Sequence, residues 1–175
     1  MRLTVKNYKH IERMSEETDC FTASLYLDGK RIGTAENAGH GGPDDYFFET
    51  PADKNAFDTF VEEWVDSDEA RNDPDNWING TYCACDEVVV YQACRNFCRE
   101  QTMKKALKNC GGNDFTTVVL IERPAENGCA LDMMTIALHP HHNVSGAVDE
   151  SQQDGDTVYI YTAENGVLEY EKVTA

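Results

Sequence analysis

Two-residue turn signals between segments of alternating apolar and polar residues constrain this fold more than any other feature of the sequence. Asp28-Gly29 follows the alternating segment 21–27 and precedes a segment that would return beside it. Asn127-Gly128 and Asn165-Gly166 take the same position between later β-branched segments. Asp-Gly and Asn-Gly pairs favour tight hairpin turns because both residues tolerate positive φ angles. The sequence therefore predicts three antiparallel hairpins.

Two helices are predicted between these hairpins. Thr50 has the character of an N-cap, with Pro51 at the first helical position, and apolar residues recur at helical spacing from Ala56 to Val65. A second helix is expected from about Asp86 to Cys110. We therefore predict an α+β fold, an antiparallel sheet built from hairpins packed on two helices, in a single domain over residues 1–175.

The cellular setting follows from what the sequence lacks. No apolar stretch is long enough for a secretory signal or a membrane span. The seven cysteines are odd in number, so reduced thiols are expected rather than a disulfide framework. These features predict a cytoplasmic protein with no membrane partner.

The formal net charge of −17 is concentrated in residues 36–92, where fifteen Asp or Glu oppose two Lys or Arg. Direct nucleic-acid binding is disfavoured because phosphate neutralisation needs clustered basic residues. A dense acidic surface favours a basic protein partner and can imitate DNA phosphates, whereas the alternative is a face kept charged for solubility. The candidate partner-binding residues, called here the acidic ridge, are Asp58, Glu62, Asp66, Asp68, Glu69, Asp73 and Asp75.

A glycine-rich loop, Gly39-His40-Gly41-Gly42, is the second candidate site. Glycines let backbone N–H groups approach a ligand, and histidine can donate a hydrogen bond, bind a metal or move a proton. The chain lacks the Gly-x-Ser-x-Gly of esterases and the Lys of a P-loop. A tight connection between a strand and a helix is the structural alternative. The candidate ligand-binding residues are Gly39, His40, Gly41, Gly42, Arg95, Arg99 and Lys105.

Zinc is the candidate cofactor, with Cys83, Cys85, His139 and His141 as possible ligands. The cysteines form Cys-x-Cys rather than the usual Cys-x-x-Cys, and the histidines are far from them in sequence. No pair of carboxylates stands out as a general acid and base among so many. We therefore assign no catalytic residue and favour a non-enzymatic role.

A family resemblance rests on Leu3 to His10, Glu16 to Arg31 and the glycine-rich loop. These segments resemble small, mostly uncharacterised proteins encoded by bacteriophages and other mobile elements. Lys104 to Lys108 and Ile121 to Pro124 are similar to the second half of those proteins. The resemblance implies action on a bacterial host or its defences, inside the host cell.

Three hypotheses about function follow. The leading one is a non-enzymatic protein that binds and inhibits a host or defence factor with a basic surface, through the acidic ridge and with DNA mimicry as one mode. The first alternative is a small-ligand binder, such as a sponge for a nucleotide signal, built on the glycine-rich loop. The second alternative is an enzyme or a domain that contains zinc.

Overall fold

The computed structural model describes residues 1–73, 76–109, 117–124, 131–138, 157–164 and 167–173. The chain divides into two compact units, Met1–Phe97 and Cys98–Ala175. The fold is α+β, as predicted, with antiparallel strands joined as hairpins and helices between them. The single-domain organisation stays a prediction. No helix in the described ranges combines the length and the apolarity that crossing a bilayer requires.

The first unit contains a four-stranded antiparallel sheet in chain order. Its strands are β1 (Leu3–His10), β2 (Phe21–Leu27), β3 (Lys30–Asn37) and β4 (Asp45–Phe48). Every second residue of β2 is buried, as the period of two along a strand requires. Asp28 and Gly29 have φ angles of 47° and 82°, which fits the predicted turn between β2 and β3.

Strand β1 has an irregular register against β2. The pairing shifts between Lys6 and Lys9, and Asn7 in the irregular stretch has a φ angle of 53°. A β-bulge of this kind adds twist to an edge strand and interrupts its ladder of hydrogen bonds.

Helix α1 (Pro51–Val65) begins where the sequence predicted. The Thr50 side chain accepts a hydrogen bond from the Asp53 backbone N–H at 3.2 Å. Phe57 and Phe60 on its inner face are buried in one apolar cluster with residues of β2 and β3. Lys30 Nζ reaches the buried Asp53 carboxylate at 2.5 Å, which ties the start of β3 to the first turn of α1.

The segment after α1 contains two elements that the sequence reading missed. A short helix, α2 (Asp68–Asn72), is capped by the Ser67 side chain. A two-stranded hairpin follows, with β5 (Trp77–Ile78) and β6 (Thr81–Tyr82). Asn79 and Gly80 form its turn with φ angles of 50° and 78°.

Helix α3 (Asp86–Asn109) confirms the second predicted helix. Its residues in the first unit bury one stripe against the apolar cluster of the sheet. That stripe consists of Val89, Val90, Ala93 and Cys94.

The second unit contains another antiparallel sheet, in the order β10-β9-β7-β8. Its strands are β7 (Thr117–Pro124), β8 (Leu131–Leu138), β9 (Thr157–Glu164) and β10 (Val167–Val173). The strands of the two predicted hairpins pair antiparallel, β7 with β8 and β9 with β10. Their predicted turns, Asn127-Gly128 and Asn165-Gly166, lie outside the described residues. Four consecutive residues of β7, from Val118 to Ile121, are almost fully buried, so this central strand is covered on both faces.

A buried ion pair joins α3 to β7 within this unit. Arg99 donates from Nε and Nη2 to the two carboxylate oxygens of Glu122, at 2.6 and 2.7 Å. Both side chains are buried, and the geometry is bidentate. Burial raises the pKa of the neighbouring Cys98 thiol, and the positive charge of Arg99 offsets part of this rise.

Candidate functional site

The glycine-rich loop connects β3 to β4 and is organised by the buried side chain of Asn37. The Asn37 amide donates to the Gly42 carbonyl at 2.9 Å and to the Asp44 carboxylate at 3.0 Å. Its oxygen accepts from the Thr18 hydroxyl and from the Gly39 backbone N–H, both at 2.8 Å. One side chain therefore fixes both ends of the loop.

Gly39 is required by its surroundings. Its φ angle is 88°, and a Cβ atom there would lie 2.2 Å from the Met14 carbonyl oxygen. The Gly39 carbonyl accepts hydrogen bonds from the backbone N–H groups of Glu16 and Glu17, at 2.9 and 3.1 Å. This glycine holds the 3-10 turn before β2 against the loop. The sequence alternative, a tight connection between a strand and a helix, is wrong in its second element, because the strand β4 follows the loop.

His40 extends from the loop into solvent, with its Nδ1 atom 3.2 Å from the Glu16 carboxylate. The backbone N–H groups of Gly39 and Gly41 already donate to side chains of the protein. Because the adjoining side chains are carboxylates rather than cations, the loop is a poor cradle for phosphate.

The basic residues assigned to the same ligand site have other surroundings. The Arg95 guanidinium lies over the Tyr91 ring, 5.7 Å from its centroid. Arg99 is buried and engaged by Glu122, and Lys105 is exposed. Arg99 and Lys105 belong to the second unit, whereas the glycine-rich loop belongs to the first.

A pocket of about 220 Å³ opens beside the loop within the first unit. Gly42 is the member of the glycine-rich loop that lines it, together with side chains from three strands, the segment before β2 and one face of α3. The other lining residues are Tyr8, Thr18, Asp19, Phe21, Asn37, Asp44, Glu87, Tyr91 and Cys94. Three aromatic rings and three carboxylates therefore meet around one cavity.

Negative charge is concentrated at this pocket, because Asp19, Asp44 and Glu87 line it. Burial raises the pKa of Asp44; the Asn37 hydrogen bond opposes this rise, and the carboxylates of Glu87 and Asp86 reinforce it. Burial also raises the pKa of Tyr46, with Asp86 adding to the increase, so this phenol stays neutral. Further negative charge is disfavoured here, and a cation would relieve the repulsion.

The structure describes only part of the candidate zinc site. Cys83 and Cys85 are free, half-buried thiols, and Cys83 Sγ lies 3.3 Å from the Thr81 carbonyl oxygen. His139 and His141 lie outside the described residues. Within the described ranges, no three His, Cys, Asp or Glu side chains come together as metal ligands.

The acidic ridge follows α1, α2 and the residues after them, and its members differ in their partners. Asp58 pairs with Lys54 at 2.6 Å, and Asp66 pairs with Arg71 at 2.7 Å. Asp73 is half-buried and accepts from the Gln92 amide. Three others are exposed, namely Glu62, Asp68 and Glu69. Asp75 lies outside the described residues.

An aromatic hairpin stands beside α2. Trp77 is 43% exposed and Ile78 is 61% exposed. Trp77 Nε1 donates to the Arg71 carbonyl at 2.9 Å, and its ring lies 5.1 Å from the Tyr82 ring. The Tyr82 hydroxyl donates to the Val65 carbonyl at 2.5 Å. The exposed apolar tip is therefore held in place by α1 and α2.

Two further bonds fix the base of this hairpin. The buried Asn76 side chain donates to the Ala70 carbonyl at 2.8 Å and also meets the Gln92 amide of α3. Cys83 donates its backbone N–H to the Asn76 carbonyl at 2.8 Å. Neither Asn76 nor Trp77 was singled out from the sequence, although Asn79-Gly80 between short apolar pairs is the hairpin signal used elsewhere in the chain.

Comparisons with protein-family models, curated proteins and solved structures gave no match to this chain. The chemistry of the described side chains therefore carries the functional proposals.

Proposed function

We propose that this protein is a non-enzymatic binding protein that docks on a basic protein surface. The docking face consists of Asp66, Asp68, Glu69, Trp77 and Ile78. The observation that carries the proposal is the exposed Trp77–Ile78 tip held against the acidic helix α2.

Charge supports a basic partner. Residues 36–92 hold fifteen acidic and two basic residues. One of the two basic residues, Arg71, is paired with Asp66. Asp68 and Glu69 are exposed in the first turn of α2 and form no ion pair in the described part of the chain. A negative face of this kind steers a positive partner during encounter and fixes its orientation.

The apolar tip, Trp77 and Ile78, supplies binding affinity that surface charge alone does not provide. Exposed surface acids contribute little affinity when water screens them, whereas a buried tryptophan anchor can dominate an interface. The Trp77 indole is held by a hydrogen bond and by the Tyr82 ring, so little conformational freedom is lost on binding. A partner with an apolar recess rimmed by Lys and Arg fits this face.

The resemblance to mobile-element proteins suggests a host or defence factor as the partner, and inhibition by covering its basic surface. If that surface normally binds DNA, the docking face acts as a DNA mimic. Competition by duplex DNA would then reduce binding of the partner to this protein.

The test is a pull-down from bacterial lysate with the parent protein, which recovers a partner. Calorimetry then measures the affinity of each variant for that partner. Asp68→Lys with Glu69→Lys, and separately Ile78→Asp, should each weaken binding at least tenfold. Glu12→Lys with Glu36→Lys changes the net charge equally at exposed sites outside the docking face and serves as the control. Recovery of the same partner with unchanged affinity by both docking-face variants would refute the proposal.

The two alternatives have simple tests. A nucleotide sponge predicts thermal stabilisation by at least one member of a nucleotide panel. A zinc protein predicts metal in the purified protein by elemental analysis, and loss of that metal when Cys83 and Cys85 are replaced by Ser.

A further inference from the structure

The pocket beside the glycine-rich loop combines features that the docking face does not use. It is built by residues from distant parts of the first unit, including Tyr8 on β1, Phe21 on β2 and Tyr91 on α3. Glu87, Tyr91 and Cys94 line it from one face of α3, as their helical spacing allows. The cavity therefore exists only when β1, β2, the loop and α3 are assembled.

Its walls suit a positive charge. The Tyr8 and Phe21 rings lie 6.0 Å apart at an interplanar angle of 38°. Tyr91 is half exposed and already has a guanidinium over its ring, that of Arg95, which does not itself line the pocket. Aromatic faces attract ammonium and guanidinium groups through the ring quadrupole.

The acidic groups of the pocket are poorly neutralised. Asp19 has His10 Nε2 at 3.6 Å. Asp44 and Glu87 form no ion pair with a described residue, and the Glu87 carboxylate instead accepts the Asp44 backbone N–H at 3.1 Å. The Asp44 carboxylate, which accepts a hydrogen bond from Asn37, is also repelled by the Glu87 carboxylate at the edge of an aromatic cavity, and a cation between them would relieve that repulsion.

The size and the ligand set narrow the class of cation. A volume of about 220 Å³ is below the range of about 300 to 1,000 Å³ typical of clefts for drug-sized ligands. The described acids, cysteines and histidines do not converge as metal ligands. Aromatic walls also suit an organic cation better than a hydrated metal ion.

We propose that this pocket binds one organic cation, a guanidinium or alkylammonium group, between the rings of Tyr8 and Tyr91 and the carboxylates of Asp44 and Glu87. The group is carried either by a free small amine or by an Arg or Lys side chain of another protein. The proposal does not depend on the docking face, because none of the residues of that face lines the pocket.

The experiment titrates the full chain with N-acetyl-arginine amide and follows backbone amide shifts by NMR. N-acetyl-citrulline amide has nearly the same shape without the charge, and it should bind at least tenfold more weakly. Tyr91→Ala and Glu87→Gln change half-exposed or exposed side chains, and each should weaken binding of the arginine probe about threefold to tenfold. Glu63→Gln, an exposed acid of α1 outside the pocket, is the matched control.

Equal binding of the arginine and citrulline probes would overturn the proposal, as would parental affinity in both pocket variants. Agmatine and the peptide Gly-Arg-Gly distinguish a free small amine from a protein side chain as the source of the cation. Tighter binding of agmatine supports a free amine, and tighter binding of the peptide supports a side chain of a partner. Asp68→Lys with Glu69→Lys should bind the arginine probe like the parent at physiological salt, so failure of the docking face leaves this proposal standing.

Discussion

Alanine substitutions at three glycines separate the cost of a left-handed backbone from the cost of a steric clash. Gly29 and Gly39 have φ angles of 82° and 88°, so alanine is strained at both positions. A Cβ atom at Gly29 would meet no atom within 4 Å, whereas at Gly39 it would lie 2.2 Å from the Met14 carbonyl oxygen. Gly42 has open space and no positive φ angle, and it serves as the control.

The expected magnitudes follow from these contacts. A left-handed alanine costs about 1 to 2 kcal/mol relative to glycine, which is the whole effect expected of Gly29→Ala. In Gly39→Ala the clash also displaces the backbone N–H groups of Glu16 and Glu17 from the Gly39 carbonyl. Each lost hydrogen bond adds about 0.5 to 1.5 kcal/mol, so Gly39→Ala should lose about 2 to 5 kcal/mol. Gly42→Ala should stay within about 0.5 kcal/mol of the parent.

Urea denaturation followed by tryptophan fluorescence measures these losses. Trp64 and Trp77 both belong to the unit Met1–Phe97, so the signal reports on the unit that contains all three glycines. Equal destabilisation by Gly29→Ala and Gly39→Ala would show that the close approach of the Met14 carbonyl adds nothing. A large loss of stability in Gly42→Ala would contradict the reasoning that a positive φ angle and a steric clash cause the destabilisation at the other two glycines.

Three further predictions concern buried or half-buried charges. Arg99→Met leaves Glu122 buried without its partner and should lower the free energy of unfolding by about 3 to 5 kcal/mol. Chemical denaturation followed by circular dichroism measures this loss. The double variant that also carries Glu122→Leu should recover most of it. The Lys30 hydrogen bond holds the pKa of Asp53 below its usual range, so the stability that the pair contributes is present at neutral pH and is lost as pH falls through that lowered pKa. The stability difference between the parent and Asp53→Asn, from urea midpoints at several pH values, should therefore shrink below about pH 4. Burial raises the pKa of Asp44, so its ionised form opposes folding at neutral pH; Asp44→Asn should raise the melting temperature at pH 7, with a gain that shrinks as pH falls through the raised pKa.

Local signals predicted the parts of the fold that local chemistry determines. Asp28-Gly29 forms its turn because both residues adopt positive φ angles, and Thr50 caps α1 through a bond to a residue three positions later. The Trp77–Tyr82 hairpin was missed although Asn79-Gly80 carries the same signal. Its strands are only two residues long, and alternation cannot be recognised over so short a segment.

The candidate pocket could not be predicted because its walls meet only through tertiary packing. Tyr8 and Tyr91 are distant in sequence, and neither carries a sequence signal for ligand binding. The Asn37 side chain forms four hydrogen bonds that fix the glycine-rich loop, and nothing in the sequence indicates them. Arg99 illustrates the same difficulty, because sequence reveals a positive charge but not the buried carboxylate that engages it.

The irregular register of β1 has a consequence for the behaviour of many copies of the chain together. β1 and β4 are the two outer strands of the first sheet, and an unpaired outer strand can recruit a strand from a neighbouring molecule into a growing fibril. The bulge around Asn7 breaks the ladder on one side, with Lys6 and Lys9 exposed beside it, and β4 offers only four residues on the other. Among the described strands, both borders of this sheet are thus unfavourable templates for strand addition, and we expect little fibril growth from either one in a crowded solution.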